Sequence, residues 1–243
     1  DGELRIAGQA DLIIIDGFDV YILDYKGLDL NTPILTTQGF KFLKDITKED
    51  IIFDKDGKET RIKNISEIHN NPCYKIIFDS GEEIIADHEH RWLISFRKGT
   101  GKYQEKVLTT EELKESLDLY KEKKNAYYLP KIINTKPLDR KDVDLPIDPY
   151  ILGYWLGDGT SVAGSITAEN ENFWKEVENR GYKYGEDISG INRTELRTIF
   201  GLRTQLNNLN LINNKHIPNC YLLASYNQRL ELLRGFMDAD GYY

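Results

Sequence analysis

Two stretches of the chain share one pattern of hydrophobic and polar positions, an apolar run of helical period that ends in Asp-Gly. They are the nonamers Ile151-Leu-Gly-Tyr-Trp-Leu-Gly-Asp-Gly159 and Leu233-Arg-Gly-Phe-Met-Asp-Ala-Asp-Gly241. Apolar residues at this spacing predict helices, over about 148–157 and about 228–239. A pattern that occurs twice predicts two elements of the same design.

Small residues four apart share one face of each predicted helix. These residues are Gly153, Gly157, Gly235 and Ala239. We expect the two helices to pack backbone to backbone along these faces. Asp158 and Asp240 would then lie at one end of the contact, where an acid faces the negative end of the helix dipole at a cost of a few tenths to about 1 kcal/mol. The repeated acid predicts a compensating cation, a divalent metal with oxygen ligands such as Mg²⁺.

The region before these helices contains many short strands separated by turn residues, which predicts an all-β domain. The predicted strands cover 33–46, 51–53, 60–68, 73–78, 83–86 and 91–96. A polar helix is predicted over about 110–124, with acids in its first turn and lysines in its last turn. The proline-containing, charged stretch that follows predicts a linker into a mixed α/β region.

The first 26 residues contain two β-branched strands around an Asp-Gly turn, which predicts a hairpin. Asp11, Asp24 and Lys26 can meet at the end of this hairpin. Two carboxylates suit a metal ion and a lysine suits a scissile phosphate. The alternative is a surface hairpin without a site.

Composition limits the class of protein. The 243 residues, 40% hydrophobic and 30% charged, suffice for two compact domains. The net charge of −8 argues against a non-specific nucleic-acid binder, although basic residues gather in the C-terminal half. Those basic residues are Arg193, Arg197, Arg203, Lys215, Arg229 and Arg234. The sequence has neither a membrane-spanning apolar run nor a signal peptide, so we expect a cytoplasmic protein. Cys73 and Cys220 are expected to be packing residues.

The two nonamers resemble the LAGLIDADG (DOD-type) signature of homing endonucleases. Asp158 and Asp240 are 82 residues apart, which fits one αββαββ half-domain, and residues 214–235 resemble the lead-in to the second motif of intein-borne members. The resemblance implies an α+β domain that cuts double-stranded DNA at a long site. Asp158 and Asp240 would be its catalytic residues and its ligands for Mg²⁺ or another divalent cation, without a small-molecule cofactor. Strands predicted over 161–168 and 193–201 would read the major groove.

Residues 29–39 and 84–93 resemble the first block and the histidine block of an intein Hint domain. The resemblance implies protein splicing, which begins when a Cys or Ser at the first intein position attacks the preceding carbonyl. That position is Gly27, which has no nucleophile. Either the residue was replaced, naturally or by engineering, or the element has decayed or uses an atypical route. His90 would protonate the scissile amide with Asp87 as its orienting residue, and His88 is expected to face the other way along the strand.

Gly8-Gln-Ala-Asp11 followed by Asp24-Tyr-Lys26 resembles the core of PD-(D/E)XK nucleases of the RecB and Cas4 type. Together the resemblances imply a host fragment over 1–26, the N-terminal part of an all-β Hint domain over 27–137, a linker over 138–147, and over 148–243 the first half and second motif helix of a truncated α+β endonuclease domain. A closing His-Asn block is not in the sequence, so we expect a truncated product or a fragment of a longer reading frame that does not splice.

Two alternatives remain open. The first is a LAGLIDADG module that binds DNA without cutting it, which loss of Asp158 or Asp240 would favour; both acids are present. The second is an autoprocessing Hint domain of the hedgehog kind, although such domains carry no endonuclease. For the leading interpretation we expect the complete protein to be a monomer of a prokaryotic or phage-infected cell, and its target to be the host gene without the intein.

Overall fold

The computed structural model describes residues 27–98, 102–124, 129–168, 171–190 and 194–241, and the backbone of three short N-terminal pieces, 3–6, 15–16 and 19–20. The chain divides into two compact units, Asp1–Asp139 and Arg140–Tyr243. The division falls inside the stretch predicted to be a linker. Within the described residues, no helix has the length and apolar character that crossing a membrane requires.

The first unit consists mainly of antiparallel strands. Its strands are β1 (Glu3–Ile6), β2 (Ile15–Asp16), β3 (Asp19–Val20), β4 (Pro33–Thr36), β5 (Gly39–Phe42), β6 (Ile51–Phe53), β7 (Glu59–Arg61), β8 (Cys73–Phe78), β9 (Glu83–Asp87), β10 (Arg91–Lys98), β11 (Lys102–Thr109) and β12 (Lys131–Ile132). Its helices are the 3₁₀ turn Leu43–Asp45 and α1 (Thr110–Lys123). The sheet orders are β1-β8-β9, β11-β10-β12, β5-β4-β6-β7 and the β2-β3 pair, and only β1-β8 is parallel.

Two of the predicted strands differ from the structure. The segment predicted as one strand over 33–46 is the hairpin β4-β5 followed by the 3₁₀ turn. The chain reverses there because Gly39 takes a φ of 116°, and its carbonyl accepts a hydrogen bond from the Thr36 hydroxyl at 2.7 Å. The strand predicted over 60–68 ends at Arg61, and Ile65 and Ile68 beyond it are exposed. Apolar residues alone do not make a strand where no neighbouring strand is available to pair with them.

Helix α1 closes the larger core of the first unit. A capping box starts it, because the Thr109 side chain accepts from the Glu112 amide while the Glu112 side chain accepts from the Thr109 amide. Leu113 and Leu117 are four apart and buried on the face that packs on β10 and β11. This packing positions the end of β9 and the start of β10, where the predicted splicing residues lie.

The second unit is mixed α/β. Its elements are α2 (Pro149–Asp158), β13 (Ser165–Thr167), α3 (Glu171–Asn179), β14 (Leu196–Thr198), α4 (Leu202–Asn208), α5 (Asn219–Leu222) and α6 (Tyr226–Asp240). The strands β13 and β14 pair antiparallel and are shorter than predicted, because a turn occupies residues 161–162 before β13. Asp148 caps α2 ahead of Pro149, and Ser225 with Gln228 forms a capping box at the start of α6.

Helices α2 and α6 pack directly on each other through their backbones. A Cβ atom placed on Gly153 would lie 2.9 Å from the Phe236 amide nitrogen and 3.0 Å from the Leu232 carbonyl carbon. A Cβ on Gly235 would lie 2.9 Å from the Tyr150 carbonyl carbon. Neither position has room for a side chain, because the atoms that it would meet belong to the facing helix backbone.

Candidate functional site

The described residues bring chemistry-bearing groups together at two places, one in each unit. The first, here called the junction site, consists of Gly27, Asn71, Asp87 and His90. The second, called the helix-end site, consists of Asp158, Lys215 and Asp240. Each site belongs to a single unit and is described by itself.

The junction site forms where the segment after Gly27 pairs with β9. The Asp29 amide donates to the Ile85 carbonyl at 3.0 Å, and the Asp87 amide donates to the Gly27 carbonyl at 2.5 Å. Asp87 ends β9, and a tight turn leads to His90 at the start of β10. Residue 27 therefore lies beside Asp87 although 60 positions separate them in the sequence.

Three hydrogen bonds fix the Asp87 carboxylate, which is buried. Its Oδ1 accepts from the His90 amide at 2.8 Å and from the Glu89 amide at 3.0 Å. Its Oδ2 accepts from Asn71 Nδ2 at 2.8 Å. Asp87 thus orients the backbone of the turn that carries His90.

His90 is buried at the junction site and is held from the α1 side. Its ring packs edge-on against the Trp92 ring, with centroids 4.7 Å apart. Trp92 Nε1 donates to Thr110 Oγ1 at 2.9 Å, and the Thr110 amide donates to the His90 carbonyl at 2.9 Å. Such a fixed imidazole suits a proton donor that must stay in one orientation.

The prediction that His88 and His90 face opposite ways because they alternate along one strand is wrong. His88 and Glu89 form the turn between β9 and β10. His88 is partly exposed, and its carbonyl accepts from the Glu111 amide at 3.2 Å. The two histidines differ in burial because His88 lies in the turn and His90 directly precedes β10.

Both cysteines are exposed, so the prediction that they are packing residues is wrong. Cys73 is the first residue of β8, opposite Asp87 in the ladder, and its thiol lies 3.3 Å from the Asn71 carbonyl oxygen. Burial raises the pKa of the Cys73 thiol, and the carboxylates of Asp87 and Asp29 raise it further. A thiol with a raised pKa stays protonated at neutral pH and is a weak nucleophile.

The helix-end site lies where α2 and α6 finish together. Asp158 and Asp240 are the last residues of the two helices. Gly157 and Ala239 bring these ends close, since a Cβ on Gly157 would lie 2.6 Å from the Ala239 Cβ and 3.5 Å from Asp240 Oδ2. The two carboxylates therefore share one end of the helix pair.

Lys215, one of the basic residues noted in the C-terminal half, supplies a cation at this end. Its Nζ donates to the Leu156 and Gly157 carbonyls, each at 3.1 Å, and lies 5.0 Å from the Trp155 ring centroid. Burial lowers the pKa of Lys215, while the carboxylates of Asp158 and Asp240 act in the opposite direction. The ammonium compensates the negative end of the α2 dipole and both acids. The sequence placed Lys215 in the lead-in at 214–235 and among the basic residues of this half, but did not place it beside the two acids.

A magnesium ion at the helix ends would need ligands in addition to the two carboxylates. Mg²⁺ is commonly held by one or two carboxylates together with waters and substrate phosphates. Asp158 and Asp240 provide two carboxylates, and Lys215 provides a positive charge beside them that suits a phosphate. In the part of the chain that the structure describes, no group of three or more His, Cys, Asp or Glu residues could hold a metal without such added ligands.

The basic residues of the second unit do not form one unneutralised face. Arg197 pairs with Glu195 at 3.0 Å, and Arg234 pairs with Glu231 at 3.6 Å and Glu176 at 3.7 Å. Arg229 donates to the Ala224 carbonyl. Glu195, Glu231 and Ala224 lie within five residues of their partners, whereas Glu176 belongs to α3, so the sequence alone could not show that last pairing.

Some predicted residues lie outside the described part of the chain. They are Asp11, Asp24 and Lys26 of the N-terminal hairpin, and Arg193. The backbone pieces β2 and β3 pair antiparallel, with Ile15 opposite Val20.

Comparison with family models gives no match. The chain is 33% identical over 232 residues to the replicative DNA helicase DnaB of Mycobacterium intracellulare, covering 89% of this chain and 38% of that protein. It is 35% identical over 72 residues to DnaB of Mycobacterium leprae, covering 29% of this chain and 12% of that protein. It is 28% identical over 239 residues to the ATP-dependent DNA helicase Hel308 of Methanocaldococcus jannaschii, covering 88% of this chain and 18% of that protein. The chain therefore spans well under half the length of these relatives.

Two solved structures also show similarity. The gp41-1 intein is 24% identical, with 34% of this chain and 80% of that chain covered and a TM-score of 0.27. The MchDnaB-1 intein is 28% identical, with 35% and 68% covered and a TM-score of 0.28. TM-scores of this size do not establish a common fold.

Proposed function

We propose that the chain is part of an intein that carries a LAGLIDADG homing endonuclease domain, in a form that does not splice. One observation carries the proposal. Almost all of the chain, 89% and 88% of it, is similar to segments that make up only 38% and 18% of two differently named helicases. A segment that is found as a minor part of different proteins is expected to be an insertion in each of those proteins.

A helicase segment is the direct rival, and the residues that the structure brings together favour the insertion. The residues that do cluster are the buried His90 and Asp87 beside Gly27 in one unit, and two acids with a lysine in the other. These groups suit acyl transfer and phosphodiester hydrolysis.

In the proposed splicing reaction His90 donates a proton to the amide that leaves when the bond before residue 27 breaks. Asp87 and Asn71 hold the turn that carries His90. Gly27 offers no side chain for the first attack, so the reaction does not start. The assignment of residues 1–26 to a PD-(D/E)XK host is part of this proposal and is supported by the sequence resemblance.

In the proposed endonuclease, Asp158 and Asp240 hold Mg²⁺ at the helix ends. The bound ion would activate water and stabilise the leaving oxygen. Lys215 places its ammonium beside both carboxylates, where it can neutralise charge on the scissile phosphate. The β13-β14 pair is proposed to contact the major groove of double-stranded DNA.

The outer face of α6 supports a second half-domain in the complete endonuclease. Aligning the nonamers pairs Ile151, Tyr154 and Trp155 with Leu233, Phe236 and Met237. The first three are at most 4% exposed, whereas Leu233, Phe236 and Met237 are 54%, 41% and 40% exposed. In the first copy of the motif this face is covered by β13 and α3, and in the second copy it is exposed. This difference is what we expect if a second half-domain packs on α6 as β13 and α3 pack on α2.

The test of the endonuclease is linearisation of a plasmid that carries the host gene without the insertion. The chain completed with a second half-domain should cut it once in Mg²⁺. Asp158→Asn and Asp240→Asn should each abolish cutting and retain binding in a gel-shift assay, because they remove a metal ligand without changing side-chain volume. If the completed protein binds this site and leaves it uncut in Mg²⁺ and Mn²⁺, the non-cleaving DNA-binding module is the correct function.

The splicing half is tested by incubating the chain with dithiothreitol and measuring the intact mass. We expect no cleavage between residues 26 and 27. A fragment that begins at Gly27 would show that this chain cleaves by a route without a side-chain nucleophile at that position.

A further inference from the structure

We infer that the Asp87 carboxylate occupies the space of a side chain at residue 27, so that the junction excludes a nucleophile there as long as residue 87 is aspartate. The consequence for cleavage rests on the proposed splicing function. The steric part rests on the packing alone. The absence of a side chain at Gly27 and the presence of the carboxylate at Asp87 then depend on each other.

The geometry at Gly27 is restrictive in two ways. Its φ is 87°, in the left-handed region that L-residues rarely adopt. A Cβ on Gly27 would lie 2.5 Å from Asp87 Cγ and 2.8 Å from Oδ2, and closest of all to Oδ1. Contacts below 3.0 Å are essentially not found for real Cβ atoms, so either the carboxylate or the backbone must move.

The carboxylate is poorly able to move. It is buried and accepts hydrogen bonds from two backbone amides and from Asn71, and its own amide is bonded to the Gly27 carbonyl. Rotating the side chain away would leave the Glu89 amide and the buried His90 amide without this acceptor. Asn71 is therefore a positioning residue, because it holds Oδ2 in place from the side opposite the turn.

Serine at position 87 should relieve the conflict and keep the turn. Its hydroxyl can accept a hydrogen bond from an amide two or three residues ahead, as aspartate does in Asx and ST turns. It has no second oxygen and is one atom shorter. A cysteine at position 27 then keeps only the cost of its positive φ.

The experiment compares Gly27→Cys, Asp87→Ser and the double variant in the full chain. All carry Cys73→Ser, so that no second thiol lies opposite residue 87. With cysteine at 27, its sulfur attacks the Lys26 carbonyl, a C–S bond replaces the C–N bond, and the amine takes up a proton. The thiol of dithiothreitol then displaces the cysteine sulfur and releases residues 1–26 as a thioester, which is measured by intact mass.

We expect the double variant to cleave at least about ten-fold faster than Gly27→Cys, which corresponds to the cost of overpacking a buried site. Asp87→Ser alone should not cleave. Asn71→Ala added to Gly27→Cys should give an intermediate rate, because it frees one of the three bonds on the carboxylate. If Gly27→Cys and the double variant both cleave, and at equal rates, the inference is overturned and the proposed function stands.

A second measurement does not depend on splicing. In a background with Trp155→Phe and Trp174→Phe, where Trp92 is the remaining tryptophan, urea unfolding of the parent, the two single variants and the double variant, followed by fluorescence, gives a double-mutant cycle. We expect Gly27→Cys to lower the unfolding midpoint clearly when Asp87 is retained, and much less when it is combined with Asp87→Ser. Additive midpoint shifts would overturn the steric inference. A coupled cycle in which no variant cleaves would keep the inference and refute the splicing function.

Discussion

Replacing Gly153 by alanine tests whether the α2-α6 contact is made by backbone atoms. The added Cβ would lie 2.9 Å from the Phe236 amide nitrogen and 3.0 Å from the Leu232 carbonyl carbon, and neither atom can rotate away. The helices must therefore separate, at an overpacking cost of about 3 kcal/mol, the upper end of the usual range. Alanine in place of glycine within a helix returns about 1 kcal/mol. The net expectation is a loss of about 2 kcal/mol in the free energy of unfolding.

For a unit of about 100 residues, that loss corresponds to a fall in Tm of roughly 8–16 °C. Thermal and urea unfolding followed by the fluorescence of Trp155 and Trp174 measures it. A Gly153→Ala chain as stable as the parent, or more stable, would refute the reasoning. Gly153→Leu should be more destabilised still.

Gly157→Ala provides a matched control. Its Cβ would meet the Ala239 Cβ at 2.6 Å, which is a side-chain atom. Moving the methyl group to the other helix, with Gly157→Ala and Ala239→Gly together, should therefore restore stability to within about 1 kcal/mol of the parent. Gly153→Ala has no such compensating truncation, because the atoms it meets are present in every residue.

Two further predictions concern single buried polar groups. Asp50→Asn should cost about 1–2 kcal/mol at pH 7, because the buried carboxylate accepts from Lys41 Nζ at 2.5 Å and from the Thr47 amide at 2.8 Å. The Lys41 hydrogen bond lowers the pKa of Asp50 from 3.8. The stabilisation by the Asp50 carboxylate is therefore present above pH 3.8 and is lost as the pH falls through the lower pKa of the folded state. In urea unfolding, the stabilities of the parent and of Asp50→Asn should converge on acidification, and a constant difference would contradict this. Tyr221→Phe should cost about 2 kcal/mol in thermal unfolding, because the buried hydroxyl donates to the Ile147 carbonyl at 2.8 Å and accepts from the Ile147 amide at 2.9 Å; an unchanged Tm would show that water replaces both bonds.

Local patterns in the sequence predicted α1, α2 and α6 but not α3, α4 or α5. Asp148-Pro149 marks the start of α2, Ser225 marks the start of α6, and the structure has both caps. The polar helix predicted over about 110–124 is α1, which starts at the Thr109 capping box. Each cap depends on residues within one helical turn of each other, so the local sequence is enough to predict where these helices begin.

Contacts between distant residues were not predictable in the same way. Lys215 reaches the end of α2 only because the chain between α4 and α5 passes there. The contact of Asp87 with Gly27 joins positions 60 residues apart through a strand pairing whose register the sequence does not specify. The turn at His88 was mistaken for strand because the apolar pattern of β9 continues into β10 after a break of three residues.

The close approach of Asp87 to Gly27 also bears on how a gene for this chain could change over time. A glycine codon is one base change away from codons for alanine, serine, cysteine, valine and several other residues. Each of these residues has a Cβ atom, and the Asp87 carboxylate occupies the place where that atom would lie. A change at codon 27 alone should therefore strain the junction, and a change at codon 87 relieves the contact only when it comes before or with it. The order of substitutions is therefore constrained: residue 87 changes first, or both residues change together.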